Sequence, residues 1–192
     1  PDGHWIQPAG HDQIVHAPDV TSAFLVDEVL VPGTRFAVVV DAGVQDNALY
    51  TVDLDLLAQD APALVSESRF PAPDEIDYGI VFSAPNELYV SGAANGKVYA
   101  FQIDLASGAL TRDEAHDVDL GAATDPNAPS RWYAGGIATT ADPTKLVVAP
   151  STGETQVRLV DLAQKTWTSI DVGPSRELFG LFPDPNDSAQ HG

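Results

Sequence analysis

Val98-Tyr99-Ala100-Phe101-Gln102-Ile103, closed by Asp104-Leu105, is the stretch that decides the fold. Its β-branched and aromatic residues follow a period of two, which reads as a β-strand. Asp104 then stands where the strand ends, and a short carboxylate there favours a turn by accepting from nearby backbone N–H groups. The same ending recurs twice in the chain. Val52-Asp53-Leu54 closes the strand-like stretch 48–52, and Val160-Asp161-Leu162 closes 156–160. The three aspartates lie 51 and 57 residues apart, so a unit of that length repeats.

Working outward, the same order of features surrounds each tripeptide. Upstream, Pro32-Gly33-Thr34-Arg35, Pro85-Asn86-Glu87 and Pro143-Thr144-Lys145 are turn sequences. They run into the short apolar strands 36–40, 88–90 and 146–148. Downstream, Val118-Asp119-Leu120-Gly121 and Ile170-Asp171-Val172-Gly173 form a third pair, followed by Pro129-Ser130-Arg131 and Pro174-Ser175-Arg176. Next come the glycine-bearing strands that begin Gly136-Ile137 and Gly180-Leu181, with Gly79-Ile80 as their counterpart in the preceding unit. The longer spacing comes from an insertion at 122–128. Each unit is therefore four short antiparallel strands, and no segment shows a helical period over a helix's length. Four-strand units of roughly 40–50 residues are the mark of β-propeller blades.

Leu88-Tyr89-Val90-Ser91-Gly92 with 97–105, and Ile137-Ala138-Thr139-Thr140-Ala141-Asp142 running on to Asp161, resemble the YVTN-type repeat of lactonase-like and related seven-bladed propellers. The resemblance covers roughly residues 22–183. It departs at Val38-Val39-Val40 and Val147-Val148-Ala149, which hold the motif position in the other two units. It implies a propeller and carries no catalytic residue across.

The expected fold is thus all-β, a single propeller segment over 1–192 with about three to four blades. The approximate divisions are a partial blade at 1–21, blades at 22–77, 78–130 and 131–176, and a partial blade at 177–192. A closed ring needs at least about four blades, and more often six to eight. Both ends read as falling inside blades, and an open stack leaves sheet faces uncovered and edges unpaired. The expectation is that another chain, or another part of a precursor, completes the ring.

Composition narrows the functional classes. The chain carries 28 acidic against 9 Lys and Arg residues, a formal charge of −19. Such a field repels phosphate backbones and anionic lipid, so nucleic-acid and membrane-surface partners are disfavoured. No apolar run approaches the roughly 18 residues of a membrane span. There is no Cys, hence no disulfide, thiolate metal site or Cys nucleophile. There is also no Met, not even an initiator. Pro1 is therefore expected to follow a cleavage, a trimming or a further stretch of chain, a removed signal peptide being the simplest cause. Together with the Asp-rich surface, this gives an extracellular or periplasmic expectation.

Candidate sites fall into two groups. Ca²⁺ takes six to eight oxygens, and the Asp/Asn loops at Asp41, Asp46 and Asn47 and at Asp184, Asn186 and Asp187 could supply some of them. Ordinary turn chemistry is the competing reading of these residues. The three repeated aspartates read as turn caps. His4, His11 and His16 lack the spacing of a metal site. The second group precedes the innermost strand of each blade, where loops open onto the channel mouth. These residues are Asp77, Arg131, Trp132, Tyr133, Arg176 and Glu177. Arginines and aromatics converging there would hold a carboxylate or sugar-acid ligand. Alternatively, the arginines form interblade salt bridges with Asp77 and Glu177. No nucleophile elbow or phosphate loop is present. The functions in play are a binding or scaffolding module, a lactonase-like hydrolase acting at the mouth, and a structural subunit of a surface assembly.

Overall fold

The computed structural model describes residues 24–43, 47–71, 73–122, 132–151 and 155–172. They form three antiparallel sheets in chain order. The first holds β1 (Leu25–Leu30), β2 (Phe36–Ala42), β3 (Asn47–Asp53) and β4 (Leu64–Phe70). The second holds β5 (Ile80–Ala84), β6 (Glu87–Ser91), β7 (Lys97–Ile103), β8 (Leu110–Arg112) and the two-residue β9 (Val118–Asp119). The third holds β10 (Ala134–Thr139), β11 (Lys145–Pro150), β12 (Gln156–Asp161) and β13 (Thr166–Asp171). Among the described residues helix is confined to one turn at Leu54–Leu57 and a 3₁₀ turn at Glu114–His116.

The repeated aspartates act as turn caps. Asp53 accepts from the backbone N–H groups of Asp55 and Leu56 and from Arg35 Nε. Asp104 accepts from Ala106 N, Ser107 N and Ser107 Oγ, and Asp161 from Gln164 N. Asp142 does the same in the third hairpin, accepting from Thr144 N and Oγ1. Hydrogen bonds to the charged form lower a carboxyl's pKa. Asp53, Asp104 and Asp142 accordingly lie below the ordinary value of 3.8, held there first by the Arg35 side chain, the Ser107 N–H and the Thr144 hydroxyl, respectively.

A carboxyl whose pKa is depressed on folding contributes stability above its unfolded value and loses it as pH falls through the folded value. The variant D53N/D104N/D142N should therefore show a flatter melting-temperature profile between pH 5 and pH 2 than the parent chain. The difference between the two profiles is the quantity to measure, because acid also relieves the repulsion within a −19 chain. Superimposable profiles would show that the caps do not act through charge.

The second sheet has a divided outer edge. β8 pairs with Phe101–Ile103 of β7 and β9 with Lys97–Val98, while the 3₁₀ turn bulges away between them. Across the gap Ala100 N donates to Asp117 Oδ1 at 3.0 Å, so a side chain replaces the missing ladder bond. Arg112 is ion-paired to the same Asp117 and lies 4.1 Å over the Tyr99 ring.

Apolar side chains pack between successive sheets. Phe36, Val38, Val40 and Leu49 of the first meet Leu88, Val90, Phe101 and Ile103 of the second, all fully or nearly fully buried. The other face of the second sheet, with Tyr89, Val98 and Ala100, meets Leu146, Val148 and Val160 of the third. Near the axis β5 lies between β1 and β10. Gly79 marks the closest approach. Its N–H donates to Asp27 Oδ2 of β1, and a Cβ placed on it would lie 2.3 Å from the Gly135 carbonyl oxygen.

Three sheets do not close a ring among the described residues. Counting from the capping aspartates, Val157 and Leu159 of β12 occupy the positions of Leu49 and Thr51 in β3, both completely buried. In the third sheet these positions and their partner Val147 are only half-buried, and Ile170 beside them is 42 % exposed.

Candidate functional site

The loop entering β5 is held from three sides. Ile76 is buried, and its N–H donates to Asn47 Oδ1 at 2.8 Å. Asp77 N donates to Ser91 O, while Ser91 Oγ donates back to Tyr78 O at 2.8 Å. Tyr99 OH donates to Asp74 Oδ1 at 3.1 Å, and Asn95 Nδ2 donates to Tyr99 OH and to Pro73 O. The loop entering β10 is pinned through its backbone, with Trp132 N donating to Gly121 O, Ala134 N to Ala93 O, and Ser151 N to Tyr133 O.

Between these loops and the first sheet lies a cavity of about 400 Å³. Its apolar wall comes from Phe24, Val26, Phe70 and Ile76, and its polar wall from Asp74, Glu75, Asp77, Asn47 and the Tyr133 ring. Burial, and then the Asp77 and Glu75 carboxylates, push the Tyr133 phenol above its ordinary pKa. It therefore stays protonated at neutral pH as a hydrogen-bond donor. A smaller cavity of about 210 Å³ opens on the hairpin side between the second and third sheets, beside Tyr89, His116 and Pro143.

Among the residues expected at the mouth, Asp77 and Tyr133 line the larger cavity together. Trp132 does not serve as an exposed stacking platform. It is completely buried between the second and third sheets, where Arg158 stacks 4.5 Å from its ring centroid. The alternation of the strand it leads into turns Tyr133 out and Trp132 in. Arg131, Arg176 and Glu177 lie outside the described residues. So do Asp46, Asp184 and Asp187 of the candidate calcium loops.

Asp41 and Asn47, the described members of the first candidate calcium loop, make internal hydrogen bonds. Asp41 is fully buried and accepts from Phe24 N, Gly43 N and Tyr50 OH. Asn47 donates to Gly43 O and accepts from Ile76 N. Asn47 ties the first sheet's upper edge to the cavity loop, while Asp41 holds the neighbouring strand ends of that sheet together. Among the described residues no three acidic or imidazole groups converge as metal ligands would. Sequence reasoning missed the role of Phe24 and Phe70 in the cavity. Their places at strand ends, level with the Asp41 loop, were the available signal.

No family model matches the chain, and no curated protein matches it in sequence. Solved structures do. A Lactobacillus plantarum protein is 18 % identical with a TM-score of 0.56, over 86 % of this chain and 45 % of that one. The periplasmic gluconolactonase of Pseudomonas aeruginosa is 19 % identical with a TM-score of 0.56 over the same shares. The Dos1 propeller is 15 % identical with a TM-score of 0.54, over 79 % of this chain and 37 % of that one. The chain thus spans less than half the length of these structures. Likeness at this identity carries fold alone, and the fold it shows is the β-propeller, in agreement with the lactonase-like resemblance of the repeats.

Proposed function

We propose that this chain is part of a propeller ring that works outside the cytoplasm as a binding module, with its ligand held in the cavity at the mouth. The cavity carries this reading. Loops leading into two innermost strands and the edge of the first sheet converge on it, and its volume falls within the range of small-molecule sites. The acidic, cysteine-free composition and the likeness to a periplasmic protein support the location. The ring is completed by a further blade of the same repeat, packed on the outward face of the third sheet. Positions on that face repeat those that neighbouring blades bury in the first sheet.

Two measurements test the two parts. A ligand at a hundred times its Kd stabilises by about 2.7 kcal/mol. For a domain of this size that raises the melting temperature by roughly 5–10 °C. At least one compound in a panel of small amines, acids and sugars should do so for the parent chain and fail with Tyr133→Ala. A panel that stabilises both equally, or neither, overturns the site. The native mass should exceed that of one chain, and Leu159→Asp should reduce it. A single-chain mass would remove a second copy of this chain as the source of the additional blade and leave another part of a precursor to supply it.

A hydrolytic reading is favoured by one observation, the fold shared with a gluconolactonase, together with carboxylates beside a protonated phenol. Turnover of an aldonolactone that Asp77→Asn abolishes would replace simple binding with this activity.

A further inference from the structure

The mouth cavity also says what kind of molecule it takes. We infer that its ligand is a small organic cation with an apolar body, an arylalkyl ammonium or a similar quaternary amine. The inference rests on the binding-module reading above and adds a ligand class to it.

Two different walls carry the argument. One is apolar and aromatic. Phe70 is buried at its base, and Phe24, 65 % exposed, stands at its lip. An aromatic left this exposed beside a cavity offers a ligand a face to cover, and ring faces attract cations as well as apolar groups. The other wall is anionic. Asp74 and Asp77 are half-buried there with Glu75 beside them, and no Lys, Arg or His is among the described lining residues. Asp74 and Asp77 each use one carboxylate oxygen internally, receiving Tyr99 OH and Tyr78 N. That anchoring fixes the carboxylates without neutralising them.

An anion entering this space would meet three carboxylates inside a chain of charge −19. A metal ion lacks a converging ligand set among the described residues. A neutral sugar would find hydrogen-bond acceptors on one side only. An ammonium group at Asp74 and Asp77, with its hydrocarbon portion along Phe24 and Phe70, satisfies both walls together.

The test uses three probes of similar shape in calorimetry at low salt: phenethylammonium, 2-phenylethanol and phenylacetate. The expected order is ammonium well above alcohol, with no heat from phenylacetate. Removing a half-buried charge partner weakens such binding by about tenfold or more, and Asp77→Asn should show that loss. Glu114→Gln removes one exposed charge far from the cavity and should leave binding unchanged, which separates a site from general attraction to an acidic protein. Equal binding of alcohol and ammonium, both lost in Tyr133→Ala, would overturn the cation preference while leaving the module intact. Binding of phenylacetate that Arg131→Ala removes would overturn it in favour of an anion site. If no probe binds, or all bind equally to the Tyr133→Ala variant, the ligand class and the site fail together.

Discussion

Gly79→Ala is expected to lower the melting temperature by about 10 °C, the largest drop from adding a methyl group at any described glycine. Two separate costs combine there. Gly79 has φ of +125°, a region that residues with a side chain rarely enter. Its added Cβ would also sit 2.3 Å from the Gly135 carbonyl oxygen and 3.1 Å from Ile137 N, both backbone atoms of the neighbouring blade. Backbone strain and forced overpacking together come to about 3–5 kcal/mol. Neither sheet can step aside cheaply, because Gly79 N is also held by Asp27 of the blade on the other side. Gly33→Ala is the matched control. It too has positive φ, at +71°, but its Cβ would meet nothing within 4 Å. It should show only the backbone part, about 1 kcal/mol. Equal effects at the two positions would mean that the close approach of the blades contributes nothing.

That glycine illustrates what the sequence could disclose. Gly79-Ile80 and Gly136-Ile137 could be matched by their place in the repeat. In the structure Ile80 pairs with Val90 and Ile137 with Val148, the same register in two blades. Periodicity, turn residues and the recurring aspartates are local, and local features fixed the four-strand unit. The mouth was legible in outline for the same reason, since a loop preceding an innermost strand must open at one end of the channel. Asp77 and Tyr133 were singled out that way, and both line the cavity. What remained hidden depends on contacts between blades. Asp41 stands in an oxygen-rich loop that reads as a calcium candidate, and only the folded chain shows that its carboxylate also accepts from Phe24 N and Tyr50 OH. Trp132 and Tyr133 are adjacent aromatics, and only the register of β10 decides which of them enters the core. Phe24 and Phe70 come from the two ends of the first blade, so no window of sequence unites them.

The least legible residue is Arg158, and it yields the other large prediction. It sits mid-strand, where Tyr50 and Phe101 stand when the other two sheets are counted from their capping aspartates, and it is completely buried. A cation is tolerated there because its planar face is sandwiched. The Trp132 and Trp167 ring centroids lie 4.5 and 3.9 Å away, while its terminal nitrogens donate to the Leu120 and Ala122 carbonyls of the preceding blade. Stacking and hydrogen bonding lie at right angles in a guanidinium, so one side chain does both. Trp132's buried indole N–H has no acceptor among the described residues, so its ring is held by packing and by the Arg158 stack. Arg158→Ala removes two cation–π contacts and leaves a cavity between blades, at a cost of about 4 kcal/mol. The ammonium of Arg158→Lys keeps the charge but not the plane, and should recover less than half of that loss. Arg158→Met restores bulk without charge and separates packing from electrostatics. Denaturant melts of the three variants, followed by tryptophan emission, give the order. If lysine restores full stability, the plane is irrelevant and Arg158 is held by charge alone. If methionine does, the interface asks only for volume, and the cation is a passenger in an apolar seam.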